Sequence, residues 1–585
     1  MTASTVAARI VARLARLSPV DAPRSADLDQ ALGFVGSDLA SDQLAEAAVS
    51  VLVSSLLVAG AASVLGPGVL AVELPAVLVL LGAAAAYIIY GFPRWLADAR
   101  RARSLGDAPS LVARAALRMR VTPTPEVAAA FAAAYGDDPL SSSLDDHVRR
   151  ARGGPRSGWD GFAREWDAWN PTLRRAVSLL RAAADAPPVD RRRLLDRALR
   201  VVLDGTHEQM TAFAESMRGP VSGLYAFGVV LPLALVAVVP AASAAGAMVT
   251  LPLVVAIYDG VLPCGLLAAS AWLLARRPSV FPPVAIPRSH PDVPDTSGLD
   301  VGCGLASGAA VWVVVPAVLP GWIRVVSAPG CALGAALVCR FRPVTSVRDR
   351  TRAVEGGLSD ALALVGQQLR EGEAVEAAVA RTAASLPDAT GDVFADAARV
   401  QRQLRVGTRT AFLGQYGALR EVPSPRVRAS VELLALAARE GPHGGRVLVE
   451  VADHLDDLLG VERDARRELA QVTGTLRSTA LLFAPLVGGA TVALADRMGR
   501  AGLTGAGSSL GAAGFHPATG AGLSTAPLGI AVGAYVLALA AILTALAVGL
   551  DRGLDRATLG YHVGLALLSA SLVYPVALLG TGLLV

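Results

Sequence analysis

The fold is decided by an apolar stretch in the middle of the chain, VGCGLASGAAVWVVVPAVLPGWIRVVSAPGCALGAALVC, at residues 301–339. Pro320-Gly321 divides this stretch into two runs, 301–319 and 323–339. A helix of about 20 apolar residues matches the thickness of the hydrocarbon layer of a bilayer. The stretch therefore predicts a hairpin of two transmembrane helices.

A polar, arginine-rich block follows this hairpin and leads into another apolar run. The block covers 340–477 and the run covers 478–495. The same order of hairpin, polar block and span occurs earlier in the chain, at 45–90, 91–223 and 224–242. Both copies begin on the same side of the membrane, so the predicted repeat is parallel. That argues mildly against the inverted repeats found in many transporters.

Individual residues also match between the two copies, at an offset of about 254 positions. Asn170-Pro171 falls on Ser424-Pro425, so a polar residue precedes a proline in both copies. Asn and Ser accept hydrogen bonds from the free amides of a helix start, and proline suits the first helical position. Both pairs therefore predict the beginning of a helix.

The composition places the chain in a membrane. Of its 585 residues 53% are hydrophobic, and the mean hydropathy is +0.49, which is too apolar for a soluble protein of this size. The predicted fold class is all-α: a polytopic membrane protein with about nine transmembrane helices and two helical-bundle domains in parallel tandem repeat. The predicted spans are 45–65, 69–90, 224–242, 251–274, 301–319, 323–339, 478–495, 526–550 and 563–584.

The distribution of arginine predicts the orientation of these spans. The chain has no lysine, and its arginines concentrate in the two polar blocks and in the loops after the fourth and eighth spans. Because basic loops stay on the cytoplasmic side, we expect a multi-pass cell-membrane protein with a cytoplasmic amino terminus and an external carboxyl terminus. The predicted segments are a cytoplasmic amino-terminal segment 1–44, cytoplasmic domains 91–223 and 340–477, a proline-rich cytoplasmic linker 275–300, a glycine-rich external loop 496–525, and membrane segments 45–90, 224–274, 301–339, 478–495 and 526–585.

A shorter repeat lies inside the second polar block. The sequence QLREG at 368–372 recurs 35 residues later as QLRVG at 403–407. Each copy ends an apolar-periodic stretch, and glycine just past a helix is a common C-terminal cap. We therefore predict helix–turn–helix pairs in which Gly372 and Gly407 are the caps. In the first block Leu117-Arg118 stands at the corresponding place, with no glycine after it.

These features together resemble the type II secretion system F-domain. The resemblance is carried by the order of hairpin, helical domain and span, by the two LRxG turns, by SPRVRASVELL at 424–434 and by the glycine-rich GPHGG at 441–445. Nine spans with two such domains are similar to the archaeal membrane platform proteins of type IV pili and the archaellum. The first domain departs from the pattern, because it lacks the LRxG glycine and has Pro187-Pro188 in place of the glycine cluster.

The resemblance implies a non-enzymatic platform beneath a growing filament. Its partners would be a cytoplasmic secretion ATPase, pilin-like subunits and membrane lipid, with a homodimer as a further possibility. The platform would pass the motion of the ATPase to pilin insertion. The chain agrees with a separate ATPase, since a Walker A loop needs a lysine and this sequence has none.

Candidate residues for docking the ATPase surround the two LRxG turns. Arginines at these turns could contact an acidic partner, although an ordinary solvated helix face would carry the same charges. The candidates are Arg370, Gly372, Arg402, Arg405, Gly407 and Arg409.

Asp259 is a separate candidate because it lies inside the fourth predicted span. Ionisable residues within a membrane helix are costly and often functional, so a transporter that uses Asp259 is an alternative to the platform. A shift of the helix that places Asp259 at the interface would explain it equally well. A membrane aspartyl protease is a third reading, and it would need a second buried aspartate that the sequence does not offer.

No catalytic set, metal site or cofactor is predicted. The seven histidines are scattered without ligand spacing. Nucleic-acid binding is not expected, because acidic residues interleave with the arginines throughout both polar blocks.

Overall fold

The structure, a computed structural model, contains only helices among its regular elements in the described residues, which confirms the predicted all-α class. The described residues are parts of 11–93 with the longest gap at 66–78, then 107–244 except 121, 137–138, 152–156 and 168–169, then 250–277, 286, 290–293, 298–509 except 441, and 525–584.

Seven helices have described bounds in the first copy of the repeat. Helix α1 is apolar, the next five form a compact polar block, and α7 leaves that block as a long rod. Trp159 and Phe162 are fully buried in the core of the block. The helices are α1 (Ser41–Leu65), α2 (107–120), α3 (Pro125–Ala134), α4 (Pro139–Ala151), α5 (Gly158–Trp166), α6 (Pro171–Asp185) and α7, which runs without a break through Pro188–Tyr225, the π-helical turn Ala226–Val230 and Leu231–Ala244.

The second copy follows the same order after one intervening helix, α8. A hairpin leads into a block of shorter helices, and α16 leaves that block as the counterpart of α7. The helices are α8 (Leu251–Val255, the π-helical turn Ala256–Val261 and Leu262–Ala275), α9 (Leu299–Val318), α10 (Ile323–Gly356), α11 (Leu358–Arg370), α12 (Val375–Ser385), α13 (Ala389–Leu404), α14 (Thr408–Leu413), α15 (Pro425–Ala437) and α16 (Pro442–Ser478, the π-helical turn Thr479–Phe483 and Ala484–Ser509). Two helices close the chain, α17 (Thr525–Arg552) and α18 (Arg556–Leu584).

The two predicted helix starts are confirmed by equivalent caps. The side chain of Asn170 accepts a hydrogen bond from the Leu173 amide at 3.0 Å, and proline follows at the first helical position. Ser424 accepts from the Val427 amide at 3.2 Å, again before a proline. The copies thus share local geometry as well as sequence offset.

Among the described residues, eight helices are long and apolar enough to cross a membrane. Each coincides with one predicted span, and the remaining predicted span, 69–90, lies mostly outside the described residues. Large apolar side chains on the outside of these helices are exposed, among them Leu57, Phe227 and Val313. An exposed apolar surface of this kind suits contact with lipid. The apolar helices run through Ser41–Ala61, Pro188–Val239, Leu251–Ala275, Leu299–Ala317, Ile323–Arg370, His443–Arg497, Ala526–Arg552 and Arg556–Thr581.

Helix α17 is the centre of the apolar bundle. In the most apolar stretch of α17, 67% of the residues are buried, whereas in the corresponding stretches of α8 and α9 only 17% are buried. Tyr535 and Leu539 at its middle are fully buried. Helix α17 therefore lies in the interior of the apolar bundle.

Helices α7 and α16 connect the polar blocks to the apolar bundle as continuous rods that pack side by side. Near the blocks Leu203 contacts Leu458, and closer to the bundle Phe213 and Met217 share a core with Leu469. The Thr211 hydroxyl donates to Glu468 at 3.2 Å between these two regions. The blocks are thus joined to the bundle through regular backbone rather than through loops.

One predicted boundary differs from the structure, and one predicted linker makes a contact that the sequence did not indicate. Helix α16 does not end at 495 but continues to Ser509, because no proline interrupts it there, so the predicted external loop 496–525 begins later than expected. The proline-rich linker 275–300 is described only in part. Within it His290 is buried and its Nε2 lies 3.1 Å from the Glu421 carbonyl oxygen, so the linker touches the second block.

Candidate docking surface and membrane joints

The first LRxG turn has the geometry that its sequence predicts. Helix α11 ends at Arg370, and Gly372 takes a left-handed conformation with φ of 89°. The Gly372 amide donates to the Leu369 carbonyl and the Glu373 amide donates to the Gln368 carbonyl, both at 3.1 Å. This pair of bonds is a Schellman cap, which favours glycine because a side chain at positive φ is strained.

The second LRxG turn is built differently, and the prediction for Gly407 is wrong. Arg405, and not the glycine, takes the left-handed conformation, with φ of 52°. Gly407 has φ of −69° and serves as the N-cap of α14. The left-handed residue therefore comes two residues earlier in this turn than in the first one. The reason is that α14 starts at Thr408, three residues after Arg405, whereas α12 starts at Val375, five residues after the equivalent Arg370.

The candidate arginines differ in their freedom to meet a partner. Arg370, Arg402 and Arg405 are exposed, and Arg370 makes one long contact, 3.4 Å to Gln367. Arg409 instead forms a bidentate ion pair with Glu432, at 2.6 and 3.0 Å. All four arginines are exposed, but Arg409 is engaged by Glu432, so the other three remain available to a partner.

Glu432 also connects the two polar blocks. Tyr135, at the end of α3, lies beside this carboxylate, and burial together with Glu432 raises the pKa of its hydroxyl. Tyr135 belongs to the first block and Glu432 to the second. Arg409 thus stabilises a contact between the blocks, which explains why it is not free.

A stronger connection between the blocks is centred on Arg120, at the end of α2. Only 5% of its side chain is exposed, and it forms ion pairs with Asp196 on α7 and Glu450 on α16. Its Nη2 also donates to His454 Nε2 at 3.1 Å. One guanidinium therefore joins a helix of the first block to both rods.

Each rod enters the bundle through a π-helical turn, here called a joint, and the two joints are equivalent. In α7 the π-helical turn Ala226–Val230 is followed by Pro232, and in α16 the turn Thr479–Phe483 is followed by Pro485. A proline has no amide hydrogen, so it cannot donate to the carbonyl four residues earlier. Pro232 therefore cannot donate to the Gly228 carbonyl, and Pro485 cannot donate to the Leu481 carbonyl.

Hydroxyl groups of the C-terminal pair satisfy these two carbonyls. The Tyr535 hydroxyl of α17 donates to Gly228, and the Ser569 hydroxyl of α18 donates to Leu481 at 2.7 Å. In a membrane such pairing matters, because no water replaces a missing partner. In both copies, therefore, a hydroxyl group of the C-terminal pair binds the rod at the equivalent position.

Asp259 lies in the π-helical turn of α8 and is exposed on the outside of the bundle. It forms no ion pair with any side chain in the part of the chain that the structure describes. Among those residues there is also no group of three His, Cys, Asp or Glu side chains that could hold a metal ion. This position gives no support to a path lined by Asp259 through the bundle or to a paired aspartate site.

The bonds that join the blocks and the rods were not predicted from the sequence. Arg120 and Glu450 are 330 positions apart, and no local pattern connects them. The joints, by contrast, could have been predicted from the sequence, because Pro232 and Pro485 are separated by nearly the same number of positions as the caps Asn170 and Ser424. A search for prolines shared by the two copies would have found them.

No protein-family model, curated protein or solved structure matches this chain.

Proposed function

We propose that this protein is an integral membrane platform of an archaeal type IV pilus-like assembly system, which could be a pilus, an archaellum or a type II-like secretion system. It couples a cytoplasmic secretion ATPase to the insertion of pilin subunits. The polar blocks are the cytoplasmic face, where the ATPase docks, and the apolar helices contact the pilins and the lipid.

The observation that carries this proposal is the pair of continuous rods. A displacement imposed on the tips of α7 and α16 travels along unbroken helix into the bundle, because a helix is stiff along its axis and these two are packed together over much of their length. The polar segment Pro188–Tyr225 has 38 residues, which is about 57 Å of helix. A mechanical role needs a connection of this kind, and transport or catalysis does not.

The bonds between the blocks support the same reading. Arg120 joins α2 to both rods, and Glu432 joins Tyr135 to Arg409. A force applied to one block is therefore shared with the other. The exposed arginines Arg370, Arg402 and Arg405 lie on the second block, which keeps both LRxG turns, so we place the docking surface there.

Co-purification from native membranes tests this proposal. The tagged full-length protein, extracted in mild detergent, should bring down a P-loop ATPase and a pilin-like subunit, and loss of the gene should remove surface filaments. If neither partner is recovered and filaments persist without the protein, the platform function is wrong. A substrate flux in proteoliposomes that Asp259→Asn abolishes would instead favour the transporter.

A further inference from the structure

The tips of the two rods enclose a cationic cleft that the platform function does not use. Its volume is about 280 Å³, and it is lined by the first turns of α7 and α16 together with Arg120. This is close to the lower limit for small-molecule pockets. The cleft therefore has room for a small ligand rather than for a folded segment of a partner.

Positive charge dominates the lining. The lining side chains include four arginines, Arg120, Arg191, Arg192 and Arg446, and a single carboxylate, Glu450. Arg120 is shared between Glu450 and Asp196, so the positive charge left for a ligand comes from the other three arginines. An excess of guanidinium groups around one concave space attracts an anion, and the fork of each guanidinium suits oxygens of a phosphate.

Two of these arginines are available to a ligand. Arg446 is exposed and has no hydrogen-bond or ion-pair partner among the described residues. Arg192 is 57% exposed, and its guanidinium is 3.9 Å from the carboxylate of Glu450. This contact is weak, because Glu450 is bound more closely by Arg120. Arg191 is occupied, since it donates to the Ala183 and Ala186 carbonyls and so caps α6.

The backbone at the helix starts also favours an anion in the cleft. Both rods begin at the cleft, and the N-cap of α7, Pro187, has no side chain that could accept from the first-turn amides. Helix starts carry partial positive charge and free amide donors, which adds to the attraction of an anion.

We propose that this cleft binds a soluble, phosphate-bearing small molecule that bridges the two polar blocks. Arg192 belongs to the first block and Arg446 to the second, so one ligand held by both would clamp the tips of the rods together. A lipid headgroup is excluded as the source, because about 40 Å of helix separates the cleft residues Leu195 and Glu450 from the start of the apolar spans. This inference stands whether or not an ATPase docks on the second block.

Pyrophosphate is a suitable probe, applied to the full-length protein in detergent. We expect saturable binding by calorimetry and a higher thermal midpoint, with slower hydrogen exchange at both rod tips. The double variant Arg192→Gln/Arg446→Gln should weaken binding about tenfold, since each exposed charge pair contributes modestly. The single reversal Arg446→Glu should weaken it further. The control Arg197→Gln/Arg200→Gln removes two exposed charges from α7 away from the cleft and should leave binding unchanged.

Three results would overturn the inference. Chloride at matched ionic strength could reproduce the stabilisation, which would show screening alone. The double variant could bind pyrophosphate as tightly as the control. A hexaglutamate peptide could bind at the cleft where pyrophosphate does not, which would make it a docking site for an acidic protein segment.

Discussion

Replacing Arg120 with methionine should loosen the contact between the two polar blocks without unfolding either of them. Methionine keeps most of the apolar stem and removes the charge that holds Asp196 and Glu450. Each block keeps a core around its own aromatic residue, Trp159 in the first and Phe394 in the second, and Leu117 of α2 packs into the second core. The effect should therefore be confined to the places where α2 meets the rods.

The magnitude follows from the exposure of the three groups. Breaking a fully buried ion pair costs about 3–5 kcal/mol. Here the arginine is buried, but Asp196 is 41% exposed and Glu450 is 27% exposed, so both carboxylates regain water when the arginine is lost. We expect a cost of about 2 kcal/mol, which corresponds to about a 30-fold larger population of the open contact.

Hydrogen–deuterium exchange on the full-length protein in detergent measures this population. Amides in 107–120 and in the first turns of α16 should exchange about 30-fold faster in Arg120→Met, while α12 and α13 remain unchanged. The control is Arg197→Met, an exposed arginine on α7 close in sequence to Asp196. A change below threefold in Arg120→Met, or an equal change in the control, would refute the assigned role of this guanidinium.

Three further predictions concern the turns, the joints and the orientation. Gly372→Ala should lower the free energy of unfolding by about 1–2 kcal/mol because φ is 89° there, whereas Gly407→Ala, at φ of −69°, should be close to neutral in denaturant titrations; equal effects would contradict the assigned backbone geometry. Tyr535→Phe should cost about 0.6–1.7 kcal/mol by leaving a membrane carbonyl unpaired, while Tyr561→Phe, whose ring faces only partly buried surroundings, should cost less; a stabilising Tyr535→Phe would show that the joint bond is unimportant. Arg402→Cys, in a protein whose native cysteines are replaced by serine, should react with an impermeant maleimide only after the cells are permeabilised, and labelling of intact cells would reverse the orientation.

The elements that local sequence governs were predictable. Apolar length located the spans that the structure describes, and the Asn170 and Ser424 caps followed from residue types that prefer helix starts. Gly372 followed from the requirement for a left-handed residue. In each case the physical cause lies within a few residues of its effect.

The features that could not be predicted from the sequence depend on contacts between distant parts of the chain. Arg405 accepts a strained conformation because α14 must start at once beside α13, where Gln401 donates to the Thr408 hydroxyl at 3.1 Å. Arg409 looked free in the sequence and is held by Glu432. The pairing of Arg120 with both rods arises only when the blocks come together.

We propose that the second block receives a cytoplasmic motor. A photo-crosslinking amino acid placed at Arg402 in cells, with a second one at Arg149 on the exposed surface of the first block as control, tests it most directly. We predict that Arg402 captures a P-loop ATPase, identified by mass spectrometry, and that Arg149 does not. Capture of no ATPase at Arg402 under conditions in which filaments assemble, or equal capture at both positions, would show that the motor does not dock on the second block.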